Sequence, residues 1–67
     1  MRNSLKVERA KKDITQEELA RAIKVSRQTI NSIEKNKYVP STVLALRMSE
    51  FFGIPVNELF FLEEEDR

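Results

Sequence analysis

The chain has no cysteine and no histidine. The first absence removes disulfide staples and thiolate metal sites. The second removes the commonest zinc ligand and the commonest general base at neutral pH. One glycine and two prolines leave little turn punctuation in 67 residues. Strand signals are nearly missing, and no internal repeat is visible. No apolar run approaches the roughly 18 residues that a membrane span requires. The basic start, MRNSLKVERAKK, lacks a continuous apolar core and does not read as a signal peptide. These absences predict a small cytoplasmic protein of packed helices, with no membrane partner and with neither metal nor cofactor. A chain this short forms one domain at most and buries about 60% of its unfolded surface.

What is present is unevenly spread. The net charge is +1, but residues 1–47 carry 11 Lys/Arg against 5 Asp/Glu, while residues 48–67 carry 1 against 6. Such a split predicts a basic working surface and an acidic end. It also suggests a domain over residues 1–62 followed by an acidic tail, 63–67, that frays.

Periodicity and caps predict five short helices. The first spans about Ser4 to Lys12, with Glu8 where a second core residue is expected. The second is marked by Thr15 and Glu18, a T-x-x-E capping box, and by Ile14 and Leu19 as a hydrophobic staple. The third has Ser26 as its N-cap and Val25 with Ile30 as its staple. It ends near Lys35 or Asn36, because asparagine tolerates the left-handed conformation that closes a helix. Ser41 caps the fourth, where Leu44, Met48, Phe51 and Phe52 recur at helical spacing until Gly53. A fifth short helix follows Pro55, with Val56, Leu59 and Phe60 inward.

Only Lys24 and Val25 separate the second helix from the N-cap of the third, which makes the pair a helix-turn-helix candidate. Two helices that cross closely need a small residue between them, and Ala20 supplies it. Leu19, Ile23, Val25, Ile30 and Ile33 then make one apolar seam. On a wheel with Arg27 at zero, Asn31 falls at about 40°, Gln28 at about 100° and Ser32 at about 140°, while Ile33 and Ile30 fall at about 240° and 300°. The polar arc opposite the seam holds no acidic residue. Its types are those that read base edges in the major groove of double-stranded DNA: arginine with guanine, glutamine or asparagine with adenine, serine with either. A merely solvated helix would mix in Glu and Lys. The N-terminal end of the second helix, Thr15 and Gln16, can donate to a phosphate, and Lys35, Asn36, Lys37 and Tyr38 form a polar, basic loop that can grip the backbone.

The run TQEELARAIKVSRQTINSIEKNKYVPS resembles the Cro/repressor-type (XRE) helix-turn-helix family, especially its short single-domain members. The likeness covers roughly Leu5 to Phe60, and SRQTINSIEKNKYVPS is its most specific part. It implies an all-α, compact five-helix lambda-repressor-like domain. It also implies operator recognition by the third helix and action as a transcriptional regulator, usually a homodimer on a pseudo-palindrome. By position, the family's base-reading sites match Arg27, Gln28, Asn31 and Ser32. Its phosphate sites match Thr15, Gln16, Lys37 and Tyr38, with Lys35 and Asn36 beside them. An arginine of the first helix often pairs with a glutamate ending the third; here these are Arg9 and Glu34. Three positions depart from the pattern. Lys24 and Asn36 stand where the family commonly has glycine, and Glu8 replaces a leucine, so Glu8 is expected to meet Lys11 or Lys12.

Catalysis is the weakest reading. Glu17 and Glu18 point about 100° apart and do not converge, and there is no glycine-rich phosphate loop. The partner question turns on the aromatic C-terminal end. Phe60, Phe61 and Leu62 are expected to form a dimer surface, because exposed apolar patches mark interfaces. The alternative is that this end docks a regulatory protein, as an antitoxin-like subunit would.

Overall fold

Hydroxyl side chains start three of the helices. Thr15 accepts from the Glu18 amide at 3.0 Å while the Glu18 carboxylate accepts from the Thr15 amide at 2.9 Å. Ser26 accepts from the Thr29 amide and Ser41 from the Leu44 amide. Each bond satisfies an amide that a helix start otherwise leaves open. In the computed structural model, which describes residues 1–67, the helices are α1 (Leu5–Lys11), α2 (Gln16–Ile23), α3 (Arg27–Glu34), α4 (Thr42–Phe52) and α5 (Val56–Leu59). The five expected helices are all present, and no helix is long and apolar enough to cross a membrane.

The connections use left-handed backbone. Lys24 closes α2 at φ 60°, Asn36 follows α3 at φ 60° and Gly53 closes α4 at φ 69°. Lys24 therefore carries the turn in a conformation that costs a side-chain-bearing residue roughly 1–2 kcal/mol. The Val25 amide reaches back to the Ala20 carbonyl at 3.0 Å, a Schellman-type closure. Arg47 of α4 adds a second hold by donating to the Ile23 carbonyl at 2.6 Å. Asp13 is a fourth left-handed residue, at φ 55°, which no glycine or asparagine signalled.

The core is Leu5, Leu19, Ala20, Ile23, Ile30, Ile33, Leu44, Met48, Phe52, Leu59 and Phe60. Ala20 is 3% exposed, so α2 and α3 do meet over a small side chain. Phe51 is only half-buried, lies edge-on to Phe52 at 5.0 Å between ring centres, and carries Lys12 over its face.

Two features were not expected. Arg2–Asn3 (β1) pairs antiparallel with Phe60–Phe61 (β2), Arg2 opposite Phe61 and Asn3 opposite Phe60. Asn3 also serves the start of α1, where Ser4 makes no side-chain cap bond: its side-chain oxygen accepts from the Leu5 amide, and its amino group donates to the Ile33 carbonyl at 2.9 Å. One short polar side chain thus ties the chain's first strand to the end of α3. The acidic tail is not frayed. Glu64–Asp66 forms a 3-10 turn, and Glu63 and Asp66 each lie 3.0 Å from the Met1 ammonium. Asp66 is held below its usual carboxylate value, first by the Glu63 amide and then by that ammonium.

Candidate nucleic-acid interface

The α2–α3 seam fixes α3 so that its other face points out. Ile30 and Ile33 are fully buried, Arg27 and Gln28 are exposed, and Asn31 and Ser32 are half-exposed. The four candidate base readers share one ridge. On one flank lies a shallow concavity of about 370 Å³ lined by Ser26, Gln28, Thr29, Ser32, Lys37 and Tyr38. On the other lies one of about 380 Å³ lined by Arg9, Thr15, Gln16, Glu17 and Arg27. The ridge is therefore bordered by the residues expected to hold phosphates.

The loop after α3 reaches its place by folding back. The Asn36 amide donates to the Ile33 carbonyl and the Lys37 amide to the Ser32 carbonyl at 2.9 Å. Left-handed Asn36 makes that reversal possible. Lys37 and Tyr38 come to the ridge, with Tyr38 48% exposed. Lys35 is exposed as well, whereas the Asn36 side chain is engaged by the Asn3 amino group at 3.2 Å.

Arg9 and Glu34 form the expected pair. Arg9 Nε donates to Glu34 Oε2 at 2.8 Å and its Nη2 to Oε1 at 3.2 Å. A third guanidinium N–H donates to the Ile14 carbonyl at 2.9 Å. The Arg9 side chain is 16% exposed and that of Glu34 5%. The hydrogen-bonded carboxylate raises the Arg9 guanidinium above its ordinary value. Glu8 meets Lys11 at 3.0 Å, so the departure in α1 is met by a neighbouring cation.

Gln16 is placed differently from the expectation of a free phosphate donor. Its amino group is taken up inside the protein, at 3.0 Å from Glu34 Oε1 and 3.4 Å from Asn31 Oδ1. Only its main-chain amide, at the open start of α2, remains for a phosphate. Thr15 likewise spends its oxygen as an acceptor in the capping box but keeps its hydroxyl hydrogen. No cluster of three or more acidic side chains converges as a metal site would require.

The helix-turn-helix family model matches residues 5–59, which span α1 to α5. The chain belongs to the helix-turn-helix family. It is 47% identical over 66 residues to an uncharacterized HTH-type transcriptional regulator of Methanocaldococcus jannaschii, covering 98% of this chain and 100% of that protein. It is 42% identical over 66 residues to the uncharacterized HTH-type transcriptional regulator YgzD of Bacillus subtilis, again covering 98% and 100%. A third such regulator, from Archaeoglobus fulgidus, is 42% identical over 66 residues, covering 98% of this chain and 93% of its own.

In this helix-turn-helix protein the C-terminal aromatics divide. Phe60 is 8% exposed and belongs to the core, so it adds little to any outer surface. Phe61 and Leu62 are 39% and 59% exposed, beside Arg2, Glu63 and Glu64. A second apolar face was not foreseen. Val39, Val43 and Leu46 are 62%, 67% and 51% exposed. Val39 and Leu46 border a concavity of about 260 Å³ with Met1, Pro40, Ala45 and Val56, and no charged side chain lines it. The signal was legible as an apolar spacing of four and then three residues, on the side of α4 away from Leu44 and Met48. It was hidden because α4 reads as apolar nearly all round.

Proposed function

We propose that this helix-turn-helix protein is a sequence-specific, DNA-binding transcriptional regulator that inserts α3 into the major groove. The observation that carries this reading is the acid-free ridge of Arg27, Gln28, Asn31 and Ser32, held outward by a buried apolar seam and flanked by Lys37 and Tyr38. Base-edge donors and acceptors specify sequence, and the flanking cation and amides position the backbone. The names of the relatives, all transcriptional regulators, agree with it. The protein acts as a repressor: occupying a promoter duplex suffices for that, and it asks no catalytic step of the chain.

The regulator works as a homodimer on a pseudo-palindromic operator. A standard interface covers about 800 Å² of each partner, roughly one-sixth of the 4735 Å² of surface here. The exposed apolar side chains Val39, Val43 and Leu46, leading into and along the start of α4, support a second copy as their occupant. This surface begins directly after Tyr38, so a two-fold there joins the two protomers beside their backbone-gripping loops. Phe61 and Leu62 are the smaller alternative surface, for the second copy or for a regulatory protein. Two-fold symmetry would set the recognition helices one DNA turn apart, about 34 Å.

Substitutions separate the roles. Gln28→Ala is expected to flatten base preference at one operator position, at a cost of about 1–3 kcal/mol there. Lys37→Ala is expected to weaken every duplex alike and to lower the salt slope by about 1. Binding titrations over a salt series, on duplexes varied one base at a time, measure both. An unchanged base preference in Gln28→Ala would place the reading face elsewhere.

A further inference from the structure

We infer that Gln16 sets the base preference of Asn31 by holding its carbonyl oxygen inward, so that Asn31 presents only its amino group to DNA. This rests on α3 being the reading element. An isolated asparagine side chain can turn over and offer either end, which suits adenine, whose N7 accepts while N6 donates. Here the choice is taken away by a carboxylate two residues removed from the reading positions.

The chain of constraint begins at Arg9. Its guanidinium grips both oxygens of Glu34, whose side chain is 5% exposed. An ionised carboxylate only accepts, so the end of Gln16 that lies 3.0 Å from Glu34 Oε1 must be its amino group. That amino group has a second hydrogen, and 3.4 Å away stands Asn31 Oδ1. The contact is long for a hydrogen bond, and its strength is not what decides the orientation. Turning the Asn31 amide over would set amino group against amino group with no acceptor between them. One buried carboxylate, fixed by an arginine, therefore orients two amides in series.

The consequence is a reading edge with one polarity. Asn31 Nδ2 points away from Gln16 and can donate. Guanine offers N7 and O6 as acceptors in the major groove, and thymine offers O4. Cytosine brings only an amino donor, and adenine sets its N6 donor beside its single acceptor N7, so a lone donor is met less well there than by guanine's two acceptors or thymine's O4. Asn31 is thereby assigned to a guanine or a thymine, against the adenine that its residue type alone suggests. Gln16 acts as a positioning residue in this, although its own amino group touches no base.

The test uses the full chain and a duplex selected from a random pool. Each base position is then varied fourfold, and binding is measured for the parent, Asn31→Ala, Gln16→Met and Asn31→Asp. The position whose preference Asn31→Ala flattens is the one Asn31 reads. At that position the parent is expected to favour guanine or thymine over adenine by about tenfold. Gln16→Met fills similar space without a donor, frees the amide, and is expected to bring adenine within about threefold while preferences read by Gln28 stay as they were. Asn31→Asp keeps an oxygen toward Gln16 and turns another outward, so preference should move to cytosine, whose N4 donates. A parent preference for adenine would overturn the lock. So would a Gln16→Met protein that melts like the parent yet keeps its penalty against adenine. Should Gln16→Met fail to fold, the parent decides alone: a penalty against adenine at the position Asn31 reads supports the lock, and a preference for adenine there overturns it. If Asn31→Ala flattens no position at all, the reading face itself is wrong, and the lock falls with it.

Discussion

Replacing Arg9 with alanine is expected to destabilise the protein by about 3 kcal/mol, the low end for breaking an enclosed ion pair. The low end applies because the Arg9 side chain keeps 16% of its surface in water. Two hydrogen bonds to Glu34 and one to the Ile14 carbonyl disappear. The Glu34 carboxylate is left with the Gln16 amide as its remaining partner. A chain of this size commands roughly 3–10 kcal/mol in all, so about a third of its margin or more would go. In a thermal melt the midpoint should fall by roughly 12–24 °C. Replacing both partners with methionine should recover much of that loss, because no lone charge stays buried. A midpoint for Arg9→Ala that stays within about 3 °C of the parent would mean that the pair carries little of the fold.

If the proposed dimer forms through Leu46, Leu46→Glu is expected to abolish it and to weaken binding to a two-half-site duplex by about 100-fold or more, the scale of lost avidity. Leu46 is 51% exposed and outside the core, so the protomer should keep its stability within about 0.5 kcal/mol. Affinity for a single half-site should not change, because α3 is untouched. Sedimentation measures the first effect, and binding to full and half operators measures the second. If Leu46→Glu stays dimeric while Phe61→Glu becomes monomeric, the interface belongs to the C-terminal strand instead.

The helices were legible because their signals are local. Thr15, Ser26 and Ser41 announce their caps in the residues that follow, and the spacing of Leu19, Ala20, Ile23, Ile30 and Ile33 encodes the α2–α3 seam. The β1–β2 pair was not legible. Two-residue strands carry no periodicity, and their partners lie at opposite ends of the chain. Asp13 was not signalled either, although aspartate tolerates the left-handed region, because the weak amphipathicity of the first helix marks no clear end for it. The tail misled by composition. A run of acids suggests a frayed end, but Glu63 and Asp66 find the Met1 ammonium only once β1 and β2 have brought the termini together. In the candidate interface, the wheel anticipates the side of α3 on which Arg27 and Gln28 are exposed and Asn31 and Ser32 half-exposed. It could not show that Gln16 is spent on Glu34 and Asn31, because that contact spans α2 and α3 and depends on their crossing.

Selection of bound sites from a random duplex pool tests the reading of α3 most directly. Two inverted half-sites are expected, their centres about 10–10.5 base pairs apart, with at least one enriched base lost in Gln28→Ala. A pool that returns no enriched sequence, or the same sequence for the parent and for Gln28→Ala, would contradict it.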